Sequence, residues 1–278
     1  MDSTFLYQHR EPKISIVLAT PHAFKDIALT VAHWRAQTVQ RDVELVLVAE
    51  SLSKLAIPDG AVDGFAAVLW VKSTRQETLG EARAQGARQS RAPLIGFSED
   101  HAFPEPQWAQ AMIDAHQNKC TAVGPVVINF NPHSLVSRAD FLIGYGPWDA
   151  AKHDAGHAVG HEVELLPGHN SCYKREALLR YDADLGTLLQ AETVLYWRLR
   201  EDGETLWLEP RARLHHTNFS LWKTWLQVQV HHGRLFGSTR AAHWSRGKRA
   251  FYARASPLIP FVRLARVLRF SGKGTDPR

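Results

Sequence analysis

The sequence contains few cysteines and no long apolar run, and each shortage excludes a class of protein. Two cysteines in 278 residues, Cys120 and Cys172, do not indicate a disulfide framework, so a reducing compartment is expected. No segment approaches the roughly 20 apolar residues of a membrane-spanning helix, and residues 1–13 lack the apolar core of a signal peptide. We therefore expect a cytoplasmic protein, with a peripheral position at the inner membrane face as an alternative.

Acidic residues are almost absent from the C-terminal quarter of the chain. Residues 211–278 contain 14 lysines and arginines and one acid, Asp276, whereas residues 1–210 contain 19 basic and 27 acidic residues. This asymmetry favours an anionic partner such as a nucleic acid, an acidic lipid or a diphosphate, although a solvated basic tail has the same composition. No recognised nucleic-acid-binding module accompanies the charge, so no nucleic-acid partner is expected.

Apolar runs alternate with amphipathic segments through the first two thirds of the chain. The pattern predicts buried strands at residues 13–19, 43–49, 65–71 and 93–97, and helices at residues 24–37, 78–90 and 108–117. Repeated strand–helix units of this length indicate an α/β fold with a mostly parallel, doubly wound sheet. Residues 131–166 show no clean period and are expected to form a long loop over a site, and residues 205–215 a short hairpin.

The segment 93–104, PLIGFSEDHAFP, places polar side chains directly after a predicted strand. Glu99, Asp100 and His101 follow the apolar residues, and the carboxyl ends of strands are where open α/β sheets bind ligands. Two carboxylates and an imidazole also suit a divalent cation. The alternative is an acidic turn that only caps the next helix.

Four segments in order carry a resemblance to a known family. Thr20-Pro21 follows the first strand, residues 82–86 (ARAQG) begin a helix, residues 97–104 form an acidic box, and residues 168–216 follow as a fourth block. These segments resemble the opening turn, the Ala-Arg-Asn-x-Gly helix start, the acidic box and the acceptor-side signature of family 2 glycosyltransferases of the GT-A fold. Ala84 replaces the asparagine. The resemblance covers residues 13–220.

The resemblance implies a fold and a division of the chain. The fold is a GT-A type, Rossmann-like, mixed and mostly parallel sheet flanked by helices. Residues 1–218 would form the transferase domain, with a donor-binding half at about 13–130 and an acceptor-side half at about 131–218. Residues 219–278 would form a basic, aromatic, helical C-terminal extension.

The resemblance also implies a nucleotide-diphosphate-sugar donor and a divalent cation. The residues expected to bind the donor are Thr20, Pro21, Glu50, Arg83, Glu99 and Asp100, with Glu50 on the base or ribose and Arg83 on the diphosphate. His101 stands where the family has its metal-binding carboxylate, with Asp100 and His216 as expected co-ligands. An imidazole favours Mn²⁺ over Mg²⁺, and metal-independent catalysis is the alternative.

On the acceptor side, Glu192 stands six residues before Arg198, where the family has its catalytic aspartate. It is therefore expected to be the general base of an inverting transfer to a hydroxyl acceptor. His169 and Asn170 are expected to bind sugar hydroxyls. Trp148 offers an aromatic face for a sugar, or anchors a loop.

The acceptor is expected to be a lipid-linked molecule or a small metabolite. Residues 257–270, with Arg263, Arg266 and Arg269 three positions apart, resemble a short cationic helix that lies on an anionic membrane. A helix packed on the catalytic domain is the alternative.

Two other functions are open at this stage. A nucleotidyltransferase normally has a glycine-rich basic loop after its first strand, and residues 20–25 (TPHAFK) contain no glycine. A non-catalytic sugar-nucleotide or membrane-binding module derived from a transferase would explain Ala84, His101 and Ala191. The retained acids Glu99, Asp100 and Glu192 favour catalysis over that module.

Overall fold

The computed structural model describes residues 3–74, 77–153, 159–242 and 244–271, without the side chains of Arg266, Arg269, Phe270 and Ser271. The strands are β1 (Ser3–Gln8), β2 (Ile14–Ala19), β3 (Val43–Ala49), β4 (Ala67–Lys72), β5 (Leu94–Ser98), β6 (Ala102–Pro104), β7 (Ala122–Asn129), β8 (His161–Glu162), β9 (Cys172–Lys174) and β10 (Leu206–His216). The helices are α1 (Phe24–Arg35), α2 (Leu52–Leu55), α3 (Leu79–Gln89), α4 (Trp108–Ala115), α5 (Leu135–Tyr145), α6 (Arg175–Leu179), α7 (Leu185–Leu188), α8 (Glu192–Glu201), α9 (Trp222–Ala241), α10 (Arg246–Ala255) and α11 (Ile259–Ser271).

The described strands form one sheet in the order β1-β4-β3-β2-β5-β9-β7-β10-β6, with β8 paired to β10. Strands β4, β3, β2 and β5 are parallel, as are β7 and β10. Strands β1, β6, β8 and β9 pair antiparallel with their neighbours. Every residue of β2 and β3 is buried, as expected for central strands covered on both faces. The predicted α/β fold with a mostly parallel central sheet is confirmed.

Alternate residues of the central strands supply two apolar layers, one on each face of the sheet. Ile16 of β2 belongs to the layer that also holds Trp34 of α1 and Trp108 of α4. The two indoles meet edge to face with ring centroids 5.0 Å apart. Val17 belongs to the opposite layer, with Tyr196 of α8. The helices that carry site residues are thus fixed to a buried sheet.

Two predicted segments are wrong. The loop predicted at residues 131–166 contains α5, which is capped by Ser134, whose hydroxyl accepts hydrogen bonds from the backbone amides of the first turn. The helix buries only Ser137 and Phe141, so its apolar period is weak. The hairpin predicted at residues 205–215 is the single strand β10, whose register against β7 shifts between Glu209 and Arg213. In the sequence, Pro210 is typical of a turn; in the structure it lies within the irregular part of a single strand.

The C-terminal helices pack on the sheet domain through a few specific contacts. The indole of Trp225 in α9 donates to Asp140 Oδ1 of α5 at 2.7 Å. Phe236 of α9 lies against Trp197 of α8, with ring centroids 6.0 Å apart, and the Arg240 guanidinium covers both rings. Helix α11 packs against α5 and the turn at residues 146–148. None of the helices in the described segments is long and apolar enough to cross a membrane.

Candidate active site at the carboxyl edge of the sheet

A pocket of about 350 Å³ opens where β2, β3 and β4 end. Thr20 and Pro21 follow β2, Glu50 follows β3, and all three line the pocket together with the first turn of α3. A carboxylate oxygen of Glu50 accepts a hydrogen bond from Lys54 at 2.6 Å. Crevices at this position in open α/β sheets bind nucleotides. The structure thus brings three predicted donor-binding residues to one pocket.

Glu99, directly after β5, is the centre of a polar cluster next to that pocket. Its Oε2 accepts a hydrogen bond from the Asn170 side-chain amide at 2.9 Å and lies 3.2 Å from His216 Nε2. Its Oε1 lies 3.7 Å from the guanidinium of Arg83, the residue after the pocket-lining Ala82. Asn170 also accepts from the Glu99 backbone amide at 3.2 Å, so this amide side chain holds Glu99 from both sides.

The charges of the cluster shift the acidities of its members. Burial would raise the pKa of Glu99, but His169, His216 and His101 outweigh it and hold the pKa well below its usual value. The hydrogen bond from His101 lowers the pKa of Asp100. Burial opposes protonation of His101, yet the carboxylates of Asp100 and Glu99 leave the pKa of His101 raised. The cluster therefore keeps its carboxylates ionised.

Strand pairing explains why residues so distant in sequence meet here. Strand β6 pairs antiparallel with the end of β10, with Ala102 opposite His216, so His101 and His216 become neighbours. Their ring centroids are 4.7 Å apart. Strand β9 lies between β5 and β7, with Cys172 opposite Gly96, and this brings the loop before it to Glu99.

Glu99, His101 and His216 could hold a metal ion, because one potential ligand atom from each lies within 4.8 Å of the others. The His216 Nδ1 lies 3.2 Å from Asn218 Oδ1, an acceptor that would orient the ring. Its Nε2 lies 3.2 Å from Glu99 Oε2, so the two atoms share a hydrogen bond or, with His101, face a cation. A carboxylate and two imidazoles suit Mn²⁺ and other borderline cations.

Asp100 lies beside the three candidate ligands and contacts one of them, His101. Its Oδ1 lies 2.7 Å from His101 Nδ1, and its Oδ2 lies 3.8 Å from His22 Nε2. A carboxylate on one nitrogen of a histidine leaves the other nitrogen free for a metal. The structure thus groups Glu99, rather than Asp100, with the two histidines, and the ligand role of Asp100 stays a prediction.

Glu192 and His169 form a paired group next to the cluster. Glu192 is the first residue of α8 and 6% exposed, and the helix N-terminus favours its negative charge. Its Oε2 lies 2.6 Å from His169 Nδ1, which is also 2.7 Å from the Arg83 guanidinium. Its Oε1 is buried and has no hydrogen-bond partner among the described residues. One oxygen of Glu192 is therefore held and the other is unsatisfied.

Arg83 is 2% exposed and engages both Glu99 and His169. In this arrangement the guanidinium joins the Glu99 cluster to the pair of His169 and Glu192. Its predicted contact with a diphosphate stays a prediction.

Two aromatic residues of the acceptor half have different surroundings. The Trp148 indole donates to the Leu165 carbonyl at 3.2 Å and packs with Val126 and Leu208, contacts of a loop anchor. Its stacking on a sugar stays a prediction. The Tyr145 ring instead lies 4.6 Å from His216, and burial raises the pKa of its hydroxyl well above the usual value.

Sequence reasoning missed the approach of α9 to the site. Partial desolvation of His232 lowers the pKa of its imidazole, and the nearby charges of His169 and His231 lower it further. His232 lies on α9 seven residues after Trp225 and four before Phe236, the two anchors to α5 and α8. That helical spacing puts it on the same face as both anchors. The histidines are scattered in the sequence, so no pattern there indicated that α9 approaches the site.

Comparisons with known proteins agree with the geometry. No family model matches the sequence. The glucosyl-dolichyl phosphate glucuronosyltransferase of Haloferax volcanii is 25% identical over 225 residues, which cover 74% of this chain and 70% of that protein. The crystal structure of GalNAc-T7 with UDP, GalNAc and Mn²⁺ superposes with a TM-score of 0.55 at 15% identity, covering 76% of this chain. The chain spans 44% of the length of that protein. The sheet and the structural match show a GT-A fold, and the chain is similar in sequence to a glycosyltransferase.

Proposed function

We propose that the chain transfers a sugar from a nucleotide-diphosphate sugar to a hydroxyl acceptor with inversion, and that Glu192 is the general base. The observation that carries this proposal is the buried, unpartnered Oε1 of Glu192. A carboxylate with one oxygen fixed by His169 and one free is prepared to accept a proton. An acceptor hydroxyl placed at Oε1 would satisfy that oxygen.

The order of groups along the sheet edge supports these positions for the donor and the acceptor. The pocket at Thr20 and Glu50 would hold the nucleoside, and the Glu99 cluster next to it would hold the diphosphate end. The acceptor hydroxyl gives its proton to Glu192 as its oxygen bonds to the anomeric carbon. The bond from that carbon to the diphosphate breaks, and its electron pair leaves with the nucleotide.

A divalent cation supports this step, and Glu99, His101 and His216 would hold it. When bound, such a cation neutralises charge that develops on the departing diphosphate. Asp100 would orient His101, and Asn218 would orient His216. The donor set favours Mn²⁺ over Mg²⁺.

We further propose a lipid-linked acceptor. Support comes from the similarity to a transferase named for a dolichyl phosphate substrate and from the basic residues 211–278, which suit a phosphate-bearing molecule. A peripheral position at an anionic membrane would follow from such an acceptor.

The substitution Glu192→Gln tests the central claim. It keeps the shape of the side chain and removes the base, so kcat should fall by about 10²–10⁴-fold, while nucleotide binding stays. Glu201→Gln, at the exposed end of the same helix, is the matched control and should leave kcat unchanged. The anomeric configuration of the product, read by proton NMR, tests inversion. Full activity of the Glu192→Gln enzyme would refute Glu192 as the base.

A further inference from the structure

The exposed apolar side chains of the protein are concentrated in its C-terminal helices. Among the described residues, 12 of the 18 large apolar side chains that are exposed lie between Leu221 and Leu268. Helices α9 and α10 have no buried residue, whereas α1, a helix of 12 residues, buries five. Monomeric soluble proteins seldom leave so much apolar surface together unless something covers it.

Helix α9 has an inner face and an outer face. The inner face carries Trp225 and Phe236, which contact α5 and α8. The outer face carries Trp222, Leu226 and Val230 at four-residue spacing, and their exposed fractions are 60%, 47% and 49%. Four-residue spacing places side chains on one side of a helix. The outer face is therefore an exposed stripe beside the inner face, and its first residue, Trp222, stacks on Trp225 with ring centroids 4.8 Å apart.

Helices α10 and α11 add further apolar side chains. Phe251 of α10 is 66% exposed, and Phe261 and Leu264 of α11 are 69% and 56% exposed. Helix α11 is held on α5 and the turn at residues 146–148. The surface formed by the exposed apolar side chains of α9, α10 and α11 is called the outer surface below.

The charges on the same helices have one sign. The exposed cationic side chains of these helices that make no hydrogen bond or ion pair with any described residue are Lys223, Arg234, Arg246, Lys248, Arg254 and Arg263. Residues 211–278 contain one acid, Asp276. Large apolar side chains interleaved with unpaired cations are typical of helices that lie in the interface of an anionic bilayer. Two copies of this surface would bring like charges together, so the charge disfavours a self-dimer.

We infer that the outer surface is the docking surface of this protein for an anionic lipid bilayer. Its apolar side chains enter the boundary between headgroups and acyl chains, and its lysines and arginines contact acidic headgroups. The inference deepens the proposed function and rests on it for its purpose, since α5 and α8, which carry α9, hold Tyr145 and Glu192 at the acceptor side. A lipid-linked acceptor would then reach the site from the plane in which the protein lies.

The test is co-sedimentation of the full chain with vesicles of phosphatidylcholine plus phosphatidylglycerol, and with vesicles of phosphatidylcholine alone. We expect binding to the acidic vesicles only, weakened by added salt. The double variant Trp222→Ser with Leu226→Ser, and separately Lys223→Glu with Arg234→Glu, should each lower the vesicle partition coefficient at least about tenfold. Leu29→Ser is the matched control, since Leu29 on α1 is 51% exposed but distant in sequence from these helices.

Three results would overturn the inference. They are absence of binding to acidic vesicles, equal binding to neutral vesicles, and a dimer in lipid-free solution that the Trp222→Ser, Leu226→Ser variant dissociates. Sedimentation velocity measures the last of these.

Transfer to a water-soluble acceptor separates this inference from the proposed function. If vesicle binding fails while transfer remains sensitive to Glu192→Gln, only the docking surface is refuted. If vesicle binding succeeds and Glu192→Gln leaves transfer intact, only the proposed base is refuted. The docking variants should transfer to the soluble acceptor at the rate of the unmodified chain.

Discussion

His215 and His216 are adjacent in β10, and their side chains leave the strand on opposite faces. His216 lies 3.2 Å from Glu99 Oε2 in the candidate metal cluster, whereas His215 Nε2 lies 3.1 Å from Glu105 Oε1, outside it. We predict that His216→Ala weakens Mn²⁺ binding by at least about tenfold, because a ligand is lost, and that His215→Ala leaves it unchanged. Electron paramagnetic resonance of free Mn²⁺ measures both. Equal effects of the two substitutions would contradict the ligand set.

His116 gives a prediction about stability and pH. The residue is 7% exposed, and burial lowers the pKa of its imidazole from 6.5 to about 4. Below pH 6.5 the unfolded chain takes up a proton that the folded protein does not, so the free energy of unfolding falls as the pH drops towards 4. The full loss is roughly 3 kcal/mol. Stability above pH 6.5 is unaffected by this group.

Denaturant titrations across this pH range measure the effect. His116→Gln should flatten the decline, because glutamine does not titrate. His133→Gln, at an exposed position, should keep the slope of the unmodified chain. A slope that His116→Gln does not change would contradict the assignment.

The residues of the site were predicted unevenly from the sequence. Glu99, His101 and His216 could be named because they occupy motif positions, and the structure brings them together. The contact of Tyr145 with His216 could not be predicted, because only the packing of α5 puts the Tyr145 ring on His216. The orientation of Asp100 towards His101 also could not be predicted, because the sequence does not determine which neighbour a carboxylate at a strand end contacts.

At the scale of elements, close packing of α3 on α7 positions Arg83. A Cβ atom on Gly80 would lie 2.2 Å from the Gly186 carbonyl oxygen and 2.4 Å from Gln190 Cγ. We predict that Gly80→Ala lowers the free energy of unfolding by about 1–3 kcal/mol, because backbone must move. Gly144→Ala in α5, with no atom within 4 Å of the new Cβ, should instead be neutral or stabilise by up to about 1 kcal/mol. Thermal denaturation compares them, and equal Tm values would refute the packing argument.

Elements with a strong apolar period were predictable, and irregular ones were not. Strand β3 begins and ends at the predicted residues, Val43 and Ala49, because a continuous apolar run marks a buried strand. Strand β6 has three residues and is defined only by its pairing with β10. Pairing between distant segments leaves no local pattern, so the contact of His101 with His216 could not be read from either segment alone.

At the scale of the whole molecule, donor binding should be visible as added stability. A nucleotide-diphosphate sugar at about 100 times its dissociation constant should add roughly 2.7 kcal/mol to the free energy of unfolding. Among UDP-, GDP-, dTDP- and CDP-sugars, we predict this added stability for the sugars of one base. The increase should be larger when Mn²⁺ is present. A thermal-shift panel measures it, and Glu50→Ala should reduce the shift while Glu11→Ala, at an exposed position, should not. No shift with any of the four would contradict a donor site in this pocket.

Helix α9 is joined to the two helices that carry Tyr145 and Glu192, through Asp140 of α5 and Trp197 of α8. A surface that holds α9 in one position therefore favours one separation of α5 and α8. Binding free energies are reciprocal, so a ligand that prefers this separation must strengthen lipid adhesion by the factor by which lipid strengthens ligand binding. With the protein docked on lipid as inferred above, an enzyme loaded with substrate would stay longer on the bilayer than an empty one, and the release of product would favour its departure.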